Sequence, residues 1–215
     1  MANLADVFTD KERTNWLKAW LAVDIAKSGL EQFAENEAKA VHTNIYKNVL
    51  SSVPAPAACN LCNTANLLQC PTQGICNKRG ANGSCNVMHN TSANQPRPCP
   101  NNVCNKVLNE IEKQHKYAIP SWKNTTATQW ASTPWQIAKA YLPPDGYSGK
   151  SSIQDTDLYG IISFMRNCKH FDTKFSFPIA AGKNSPPCLL TKAFAARSKW
   201  VGNATACGFR VAGHF

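Results

Sequence analysis

The sequence predicts an all-α fold: a helical domain with one long cysteine-rich loop inserted between its helices. Apolar residues recur at intervals of three and four in several segments, which is the spacing of one helix face. No segment shows the alternation of apolar and polar residues that is typical of a half-buried strand. Residues 57–100 are rich in Cys, Asn, Gly and Pro and show little apolar periodicity. We therefore predict one helical domain over residues 1–215, with residues 57–100 as the loop.

Two helices are predicted ahead of this loop. Thr9 or Asp10 caps the first, and its two tryptophans are predicted to lie in the core. They belong to a broad apolar face at helical spacing: Trp16, Leu17, Trp20, Leu21 and Val23. Residues 28–31 have the spacing of a capping box, so the helix is predicted to restart or kink there. The second helix continues through a stripe that ends near Ser51: Leu30, Phe33, Ala34, Ala38, Val41, Ile45 and Val49.

Four helical segments are predicted after the loop. Their starts are Asn101 or Asn102, Pro134 behind a Ser132 or Thr133 cap, Asp155 or Thr156, and Leu189. The first carries an apolar stripe that includes His115 and should end near Tyr117. Residues 120–135, which lie between the first two of these helices, are predicted to form a loop. The last helix is predicted over residues 189–200.

Two cysteine pairs have the spacing of a zinc site. Cys59 and Cys62 form a Cys-x-x-Cys pair, and Cys99 and Cys104 form a wider pair at the start of the next helix. Two local pairs of this kind can converge on one tetrahedral Zn²⁺ ion. The sequence therefore predicts a structural zinc bound by Cys59, Cys62, Cys99 and Cys104.

Other uses of the cysteines remain open. His115 could replace one zinc ligand, and the loop could also be a reduced, metal-free segment. The three cysteines in the middle of the loop could form or join the site: Cys70, Cys76 and Cys85. The three isolated cysteines are predicted to be buried structural thiols: Cys168, Cys188 and Cys207.

The charge is strongly positive and unevenly distributed. The chain has 23 Lys and Arg against 13 Asp and Glu, a formal net charge of +10. Seven of the 13 acids fall within the first 40 residues, and none occurs after Asp172. Such asymmetry favours a polyanionic partner, either a nucleic acid, with RNA preferred, or an acidic protein or membrane surface. A basic, soluble surface without a dedicated partner is the alternative.

The predicted nucleic-acid contacts lie in the last third of the chain. Basic and aromatic residues interleave over residues 169–177, a pattern that can combine phosphate binding with base stacking. The aromatic residues there can equally be core residues with solvated lysines beside them. The candidate binding residues are Lys169, Lys174, Arg197 and Lys199.

The sequence indicates an intracellular protein, either cytoplasmic or nuclear. The first ten residues lack the basic start and apolar run of a secretory signal, and no apolar run reaches the roughly 18 residues of a membrane span. Thiols stay reduced in these compartments, so clustered cysteines favour metal over disulfides.

Several segments resemble an uncharacterised animal family whose vertebrate member is named only as a chromosome X open reading frame. The similar segments are Trp122-Lys-Asn124, Trp130, residues 134–143 (Pro-Trp-Gln-Ile-Ala-Lys-Ala-Tyr-Leu-Pro), residues 167–171 (Asn-Cys-Lys-His-Phe), residues 15–19 and residues 104–115. The resemblance covers most of residues 13–171 outside residues 63–98. The family is a domain of unknown function, so the resemblance implies no activity.

The same resemblance implies that the C-terminal segment is similar to the HEPN (higher eukaryotes and prokaryotes nucleotide-binding) fold. RNA-cleaving members of that fold have an Arg and a His with four to six residues between them, and the His serves as the acid–base group. Arg197 is present here, but Gly202 and Asn203 stand where the His is needed. Arg210 and His214 are spaced too tightly for this pattern. No other His has a recognisable spacing to a nucleophile.

We therefore predict a non-enzymatic intracellular binding module with a structural zinc and a basic surface that faces nucleic acid. One alternative is a protein-interaction adaptor that dimerises through HEPN-like helices. A HEPN-type ribonuclease is another.

Overall fold

The computed structural model describes residues 11–55, 57–64, 67, 99–176, 179, 188 and 192. The described chain begins with one helix of 40 residues, α1 (Lys11–Leu50). The predicted restart at residues 28–31 is wrong. The Ser28 hydroxyl donates a hydrogen bond of 3.0 Å to the carbonyl of Asp24, one turn earlier in the same helix. Its side chain is thus used within α1 instead of capping a new helix.

The two halves of α1 have different environments. In the second half a regular stripe is buried at spacings of three and four: Ala34, Ala38, Val41, Ile45 and Val49. In the first half four apolar side chains are exposed, at fractions of 44% for Trp20, 51% for Leu21, 45% for Val23 and 63% for Ile25. The predicted core position of Trp20 is therefore wrong, and the side chain of Trp16 lies outside the described residues. Periodicity identifies an apolar face, but it does not show whether another element covers that face.

Three further α-helices occur among the described residues: α2 (Val103–Gln114), α3 (Pro134–Ala138) and α4 (Leu158–Asn167). The predicted starts of α2 and α3 are confirmed to within two residues. The start of α4 is two or three residues later than predicted, because Asp157 is the cap. Its carboxylate accepts the N–H of Gly160 at 2.8 Å, whereas Asp155 accepts the backbone N–H of Ser151 at 3.2 Å in the preceding turn.

Short 3₁₀ turns connect these helices. Their bounds are Pro100–Asn102, Trp122–Asn124, Ala127–Gln129, Lys139–Tyr141 and Lys169–Thr173. The predicted loop over residues 120–135 thus contains two of these turns. Trp130 is fully buried there, and its indole N–H donates to the hydroxyl of Thr125 at 2.7 Å. The imidazole of His42 contacts the Trp130 carbonyl at 2.8 Å, which joins this segment to α1.

The second half of α1 packs against α2, α3 and α4, and the core lies between these four helices. No strand occurs among the described residues, and His115 and Cys168 form only an isolated antiparallel bridge. The predicted helical class is confirmed. The middle of the cysteine-rich loop and the predicted helix over residues 189–200 lie outside the described residues, apart from Lys192, which is helical. Within the described ranges, no helix is both long enough and apolar enough to cross a bilayer.

Candidate metal centre

The two ends of the cysteine-rich loop meet in space. Cys59 and Cys62 follow α1, Cys99 precedes the turn into α2, and Cys104 lies in the first turn of α2. All four Sγ atoms lie within 4.8 Å of one another, and those of Cys59 and Cys62 are 3.6 Å apart. The structure thus brings together the four cysteines that the spacing predicts.

Backbone geometry at the start of α2 places the second pair. Asn101 and Asn102 have φ values of 51° and 58°, in the left-handed region that asparagine tolerates better than most residues. The N–H of Asn102 donates to the carbonyl of Cys99 at 3.0 Å, which closes the turn. The chain therefore bends sharply between the two cysteines, and both sulfurs reach the same point.

Contacts around Thr64 and Lys106 hold the first pair against the rest of the domain. The Thr64 hydroxyl donates to the carbonyl of Thr125 at 2.9 Å and accepts the N–H of Ala127 at 3.0 Å. The Lys106 ammonium of α2 donates to the carbonyl of Ser52 at 3.0 Å, just beyond the end of α1. The segment that carries Cys59 and Cys62 is thus anchored on both sides of the cysteines.

The geometry and chemistry of the four sulfurs fit a tetrahedral zinc site. A Zn–S bond of about 2.3 Å implies sulfur–sulfur distances of roughly 3.8 Å, close to the separation of Cys59 and Cys62. All four thiols are free of disulfides. Cys62 and Cys104 are buried, while Cys59 and Cys99 are half-buried. The set supplies four soft ligands and is compatible with a bound metal ion.

The electrostatics of the cluster also favour a cation. Hydrogen bonds from the thiols of Cys104 and Cys62 lower the pKa of Cys99, so this group loses its proton first. The pKa of Cys104 is raised by its hydrogen bonds with Cys62 and Cys99 and by burial. Without a cation the cluster therefore resists a second negative charge. A divalent ion would compensate that charge and allow further thiols to ionise.

Tyr46 of α1 borders this cluster, and spacing alone did not indicate it. Its pKa is raised by burial and by the neighbouring Cys104, so the phenol stays protonated at neutral pH. Because Tyr46 is adjacent in sequence to the buried Ile45, the helical pattern marks it only as the edge of an apolar stripe.

The structure uses His115 away from the cysteines. Its Nδ1 atom accepts the backbone N–H groups of Tyr117 at 3.1 Å and Ile119 at 3.4 Å. Its ring stacks on Tyr141, with centroids 5.6 Å apart. Burial, together with the nearby charge of Lys169, lowers the pKa of His115 to about 4. His115 is thus a neutral core histidine, and the alternative in which it replaces a cysteine ligand is not supported.

The remaining cysteines have separate environments. Cys168 is completely buried, as predicted, whereas Cys188 is only half-buried. The other alternative ligands and the last isolated cysteine lie outside the described residues: Cys70, Cys76, Cys85 and Cys207.

Two of the four predicted nucleic-acid contacts can be placed. Lys169 is exposed, and its ammonium donates to the carbonyl of Lys113 at 2.6 Å. Lys174 forms an ion pair of 3.0 Å with Glu37. Arg197 and Lys199 lie outside the described residues.

Two phenylalanines of this basic and aromatic segment, Phe171 and Phe175, pack with the core. Phe171 is 1% exposed, and Phe175 packs edge-on against Phe33 of α1 with ring centroids 5.7 Å apart. Phe171 is therefore not available for base stacking. A role of Lys169 and Lys174 in nucleic-acid binding stays a prediction.

Comparison with known proteins gives similarity to one family model and to one curated protein, neither of which has a stated activity. Residues 72–178 match a family model described as a domain of unknown function (DUF4559). The chain is also 26% identical over 176 residues to the mouse (Mus musculus) protein described as "Uncharacterized protein CXorf38 homolog". That alignment covers 80% of this chain and 46% of the mouse protein, so the chain spans less than half the length of this curated relative. No solved structure matches the chain. The chain is thus similar to the uncharacterised family that its Trp- and Asn-containing segments resemble.

Proposed function

We propose that the chain is a non-enzymatic, intracellular binding module stabilised by a structural zinc ion. The observation that supports this proposal is the convergence of four cysteine sulfurs within 4.8 Å of one another. A site with four protein thiolates leaves no open position for a substrate or an activated water, which is typical of structural zinc. The ligands of this site are Cys59, Cys62, Cys99 and Cys104.

The zinc ion has a structural task in this arrangement. It joins the segment after α1 to the first turn of α2, across the long stretch of residues 63–98. Holding two distant parts of a chain together costs conformational entropy that grows with the number of residues between them. Four metal–sulfur bonds would offset that cost.

The metal content of matched variants tests this part of the proposal. The full chain, purified under reducing conditions, is expected to contain one zinc per molecule. Cys104→Ser should lose most of this zinc, because it removes a buried ligand. Cys168→Ser is the control, since Cys168 is buried but lies outside the cluster. Equal zinc content in both variants, or no zinc in the wild-type protein, would contradict the site.

We propose RNA as the partner of the basic surface. The supporting observations are the net charge of +10 and the absence of acids after Asp172. Among the described residues, the exposed ammonium of Lys169 forms no ion pair and adds to this positive charge. The proposed mode is electrostatic, with affinity that falls steeply as salt increases.

Binding and cleavage assays distinguish the module from a ribonuclease. Random-sequence RNA at low salt should bind the full chain and remain intact. The C-terminal segment has Arg197 without a His at the required spacing, and Arg210 and His214 are spaced too tightly, so we expect no cleavage. Absence of RNA binding at low salt would exclude the nucleic-acid function, and cleavage that copurifies with clean protein would favour the enzyme.

A second candidate function is a protein-interaction adaptor that forms a homodimer. The exposed apolar side chains in the first half of α1 favour it: Trp20, Leu21, Val23 and Ile25. Two copies of this helix could cover one another through these side chains. Light scattering after size exclusion should then show a dimer that Leu21→Glu dissociates and the exposed control Asn44→Glu does not. A monomeric wild-type protein would exclude this candidate.

A further inference from the structure

We propose that Tyr117 and Ile119 form a fixed apolar tip that stacks against an unpaired base of single-stranded RNA. This inference rests on the proposed RNA-binding function and gives it a site. The tip lies between the end of α2 and the turn Trp122–Asn124. Ile119 is 76% exposed, more than any other large apolar side chain among the described residues, and Tyr117 is 50% exposed.

Buried residues on both sides show that the exposure of the tip is built into the fold. His115 and Pro120, which bracket the tip, are both buried. The chain therefore leaves the core, presents three residues and returns at once. Single exposed apolar residues are common on protein surfaces, whereas two large ones side by side favour a contact surface.

The backbone of the tip is held in one conformation. The imidazole Nδ1 of His115 accepts N–H groups from both Tyr117 and Ile119, and the His115 carbonyl accepts that of Ala118 at 3.3 Å. The N–H of Lys116 donates to the carbonyl of Asn167 at 2.7 Å, which fastens the tip to α4. These bonds fix the backbone from which both apolar side chains project before any partner arrives.

Ala118 gives independent evidence of this constraint. Its φ of 52° lies in the left-handed region, which an L-residue with a Cβ atom adopts rarely. Such a conformation persists only where surrounding contacts impose it, and it is found preferentially at functional sites. Here the imposing contacts come from His115 and Asn167.

The charges around the tip favour an anionic partner. Lys113 and Lys116 are paired with Glu110 and Asp172, respectively. Lys169, whose ammonium contacts the Lys113 carbonyl, forms no ion pair among the described residues. The charge of Lys169 acts on His115, whose ring meets that of Tyr117. An unpaired positive charge and an exposed aromatic ring thus share one neighbour, and such a pair of groups suits a phosphate and its base.

The ring of Tyr117 is placed for such a contact. It meets His115 edge-on, with centroids 6.2 Å apart and planes at 67°, and half of the side-chain surface stays open. Double-stranded RNA would present no free base face to this ring, because its bases are stacked internally. The tip should therefore distinguish single strands from duplexes.

Fluorescence anisotropy with the full chain tests the inference. The probes are a fluorescein-labelled ten-nucleotide random RNA and a blunt RNA duplex of the same length. Tyr117→Ala should weaken single-strand binding about tenfold, and Tyr117→Phe should stay within about twofold of the wild type, because it retains the ring. Duplex binding should change little in either variant. Tyr117→Ala should leave the salt dependence unchanged, whereas Lys169→Gln should reduce the salt slope by about one.

The outcomes separate this inference from the function on which it rests. If the wild type binds single-stranded RNA and Tyr117→Ala binds it equally well, the stacking site is wrong but RNA binding stands. If the wild type binds no RNA, both are wrong. A further arm uses vesicles of phosphatidylserine and phosphatidylcholine. If the wild type binds these vesicles, and Tyr117→Ala and Ile119→Ala abolish that binding while RNA binding stays intact, the tip is a membrane contact. Equal melting temperatures of the variants would show that the exposed substitutions leave the fold intact.

Discussion

His115 shows how much one buried side chain organises here. It ends α2, stacks on Tyr141 and accepts two backbone N–H groups on a single nitrogen. That nitrogen can accept only while the imidazole is neutral, which agrees with its low pKa of about 4. The spacing of α2 correctly placed His115 on the apolar stripe. Spacing could not reveal which groups the ring would contact, because those lie in a later loop and in another helix.

The titration of His115 should make stability depend on pH. The unfolded histidine binds a proton near pH 6.5, and the folded one binds it only near pH 4. Between these values the unfolded chain holds more protons, so stability present above pH 6.5 is lost as pH falls towards 4. Urea titrations measure the free energy of unfolding at pH 7 and at pH 5. Over this range the wild type should lose about 1–2 kcal/mol more of it than His115→Gln, a figure already reduced for solvent screening.

The comparison with His115→Gln isolates this effect from other titrating groups. Both proteins keep the cysteine cluster, so any pH dependence of metal binding cancels in the difference. Carboxyl groups such as Glu35, whose pKa is lowered from 4.5 by its hydrogen bond with Lys39, lose their contribution mainly below this window. Parallel pH profiles for the two proteins would show that His115 is not the sensitive group.

At the scale of the element, two helical glycines give opposite expectations. Gly29 lies inside α1, and an added Cβ atom would meet nothing within 4 Å. Gly160 lies in α4, where a Cβ atom would come within 2.4 Å of Thr156 and 2.7 Å of Tyr147. In thermal or urea unfolding, Gly29→Ala should raise the free energy of unfolding by about 0.5–1 kcal/mol, because alanine has a higher helix propensity than glycine. Gly160→Ala should lower it by about 1–3 kcal/mol, because the added methyl group overpacks the site. The same sign for both variants would contradict this account.

Helix α1 also shows where sequence reasoning stops at this scale. Its second half was predicted well because Ala38, Val41 and Ile45 must face a core at helical spacing. The restart expected at residues 28–31 failed because a serine side chain can bond one turn back as readily as it can cap. The exposure of Trp20 could not be predicted, because the spacing of an apolar face does not show whether another element packs against it. The cap of α4 could not be identified from the sequence, because Asp155 and Asp157 are the same residue type. Only their hydrogen-bond partners, the N–H of Ser151 and that of Gly160, distinguish them.

For the whole molecule, the cysteine pairs were the most informative signal in the sequence. Local spacing suggested that each pair could share a ligand, and the helical order implied that the two ends of the loop could meet. Neither argument shows that Asn101 and Asn102 adopt left-handed conformations. These conformations bend the chain so that Cys99 and Cys104 lie near the first cysteine pair. The partner of the basic surface cannot be predicted from the sequence either, because a positive charge indicates a negatively charged partner but not its chemical class.

Removal of the metal should loosen one end of the molecule before the rest. The proposed zinc joins residues 57–64 to the start of α2, whereas α4 packs against the second half of α1 through buried side chains of its own. After chelation under reducing conditions, hydrogen exchange should therefore rise in residues 57–64 and in the first turn of α2. Exchange in α4 should stay within about twofold of the metal-bound protein, since local and global opening have separate free energies. Cys168→Ser, treated in the same way, should show the same pattern. Equal loss of protection in α4 would mean that the metal supports the whole core, and no change at either end would mean that the cysteine cluster holds together without a metal.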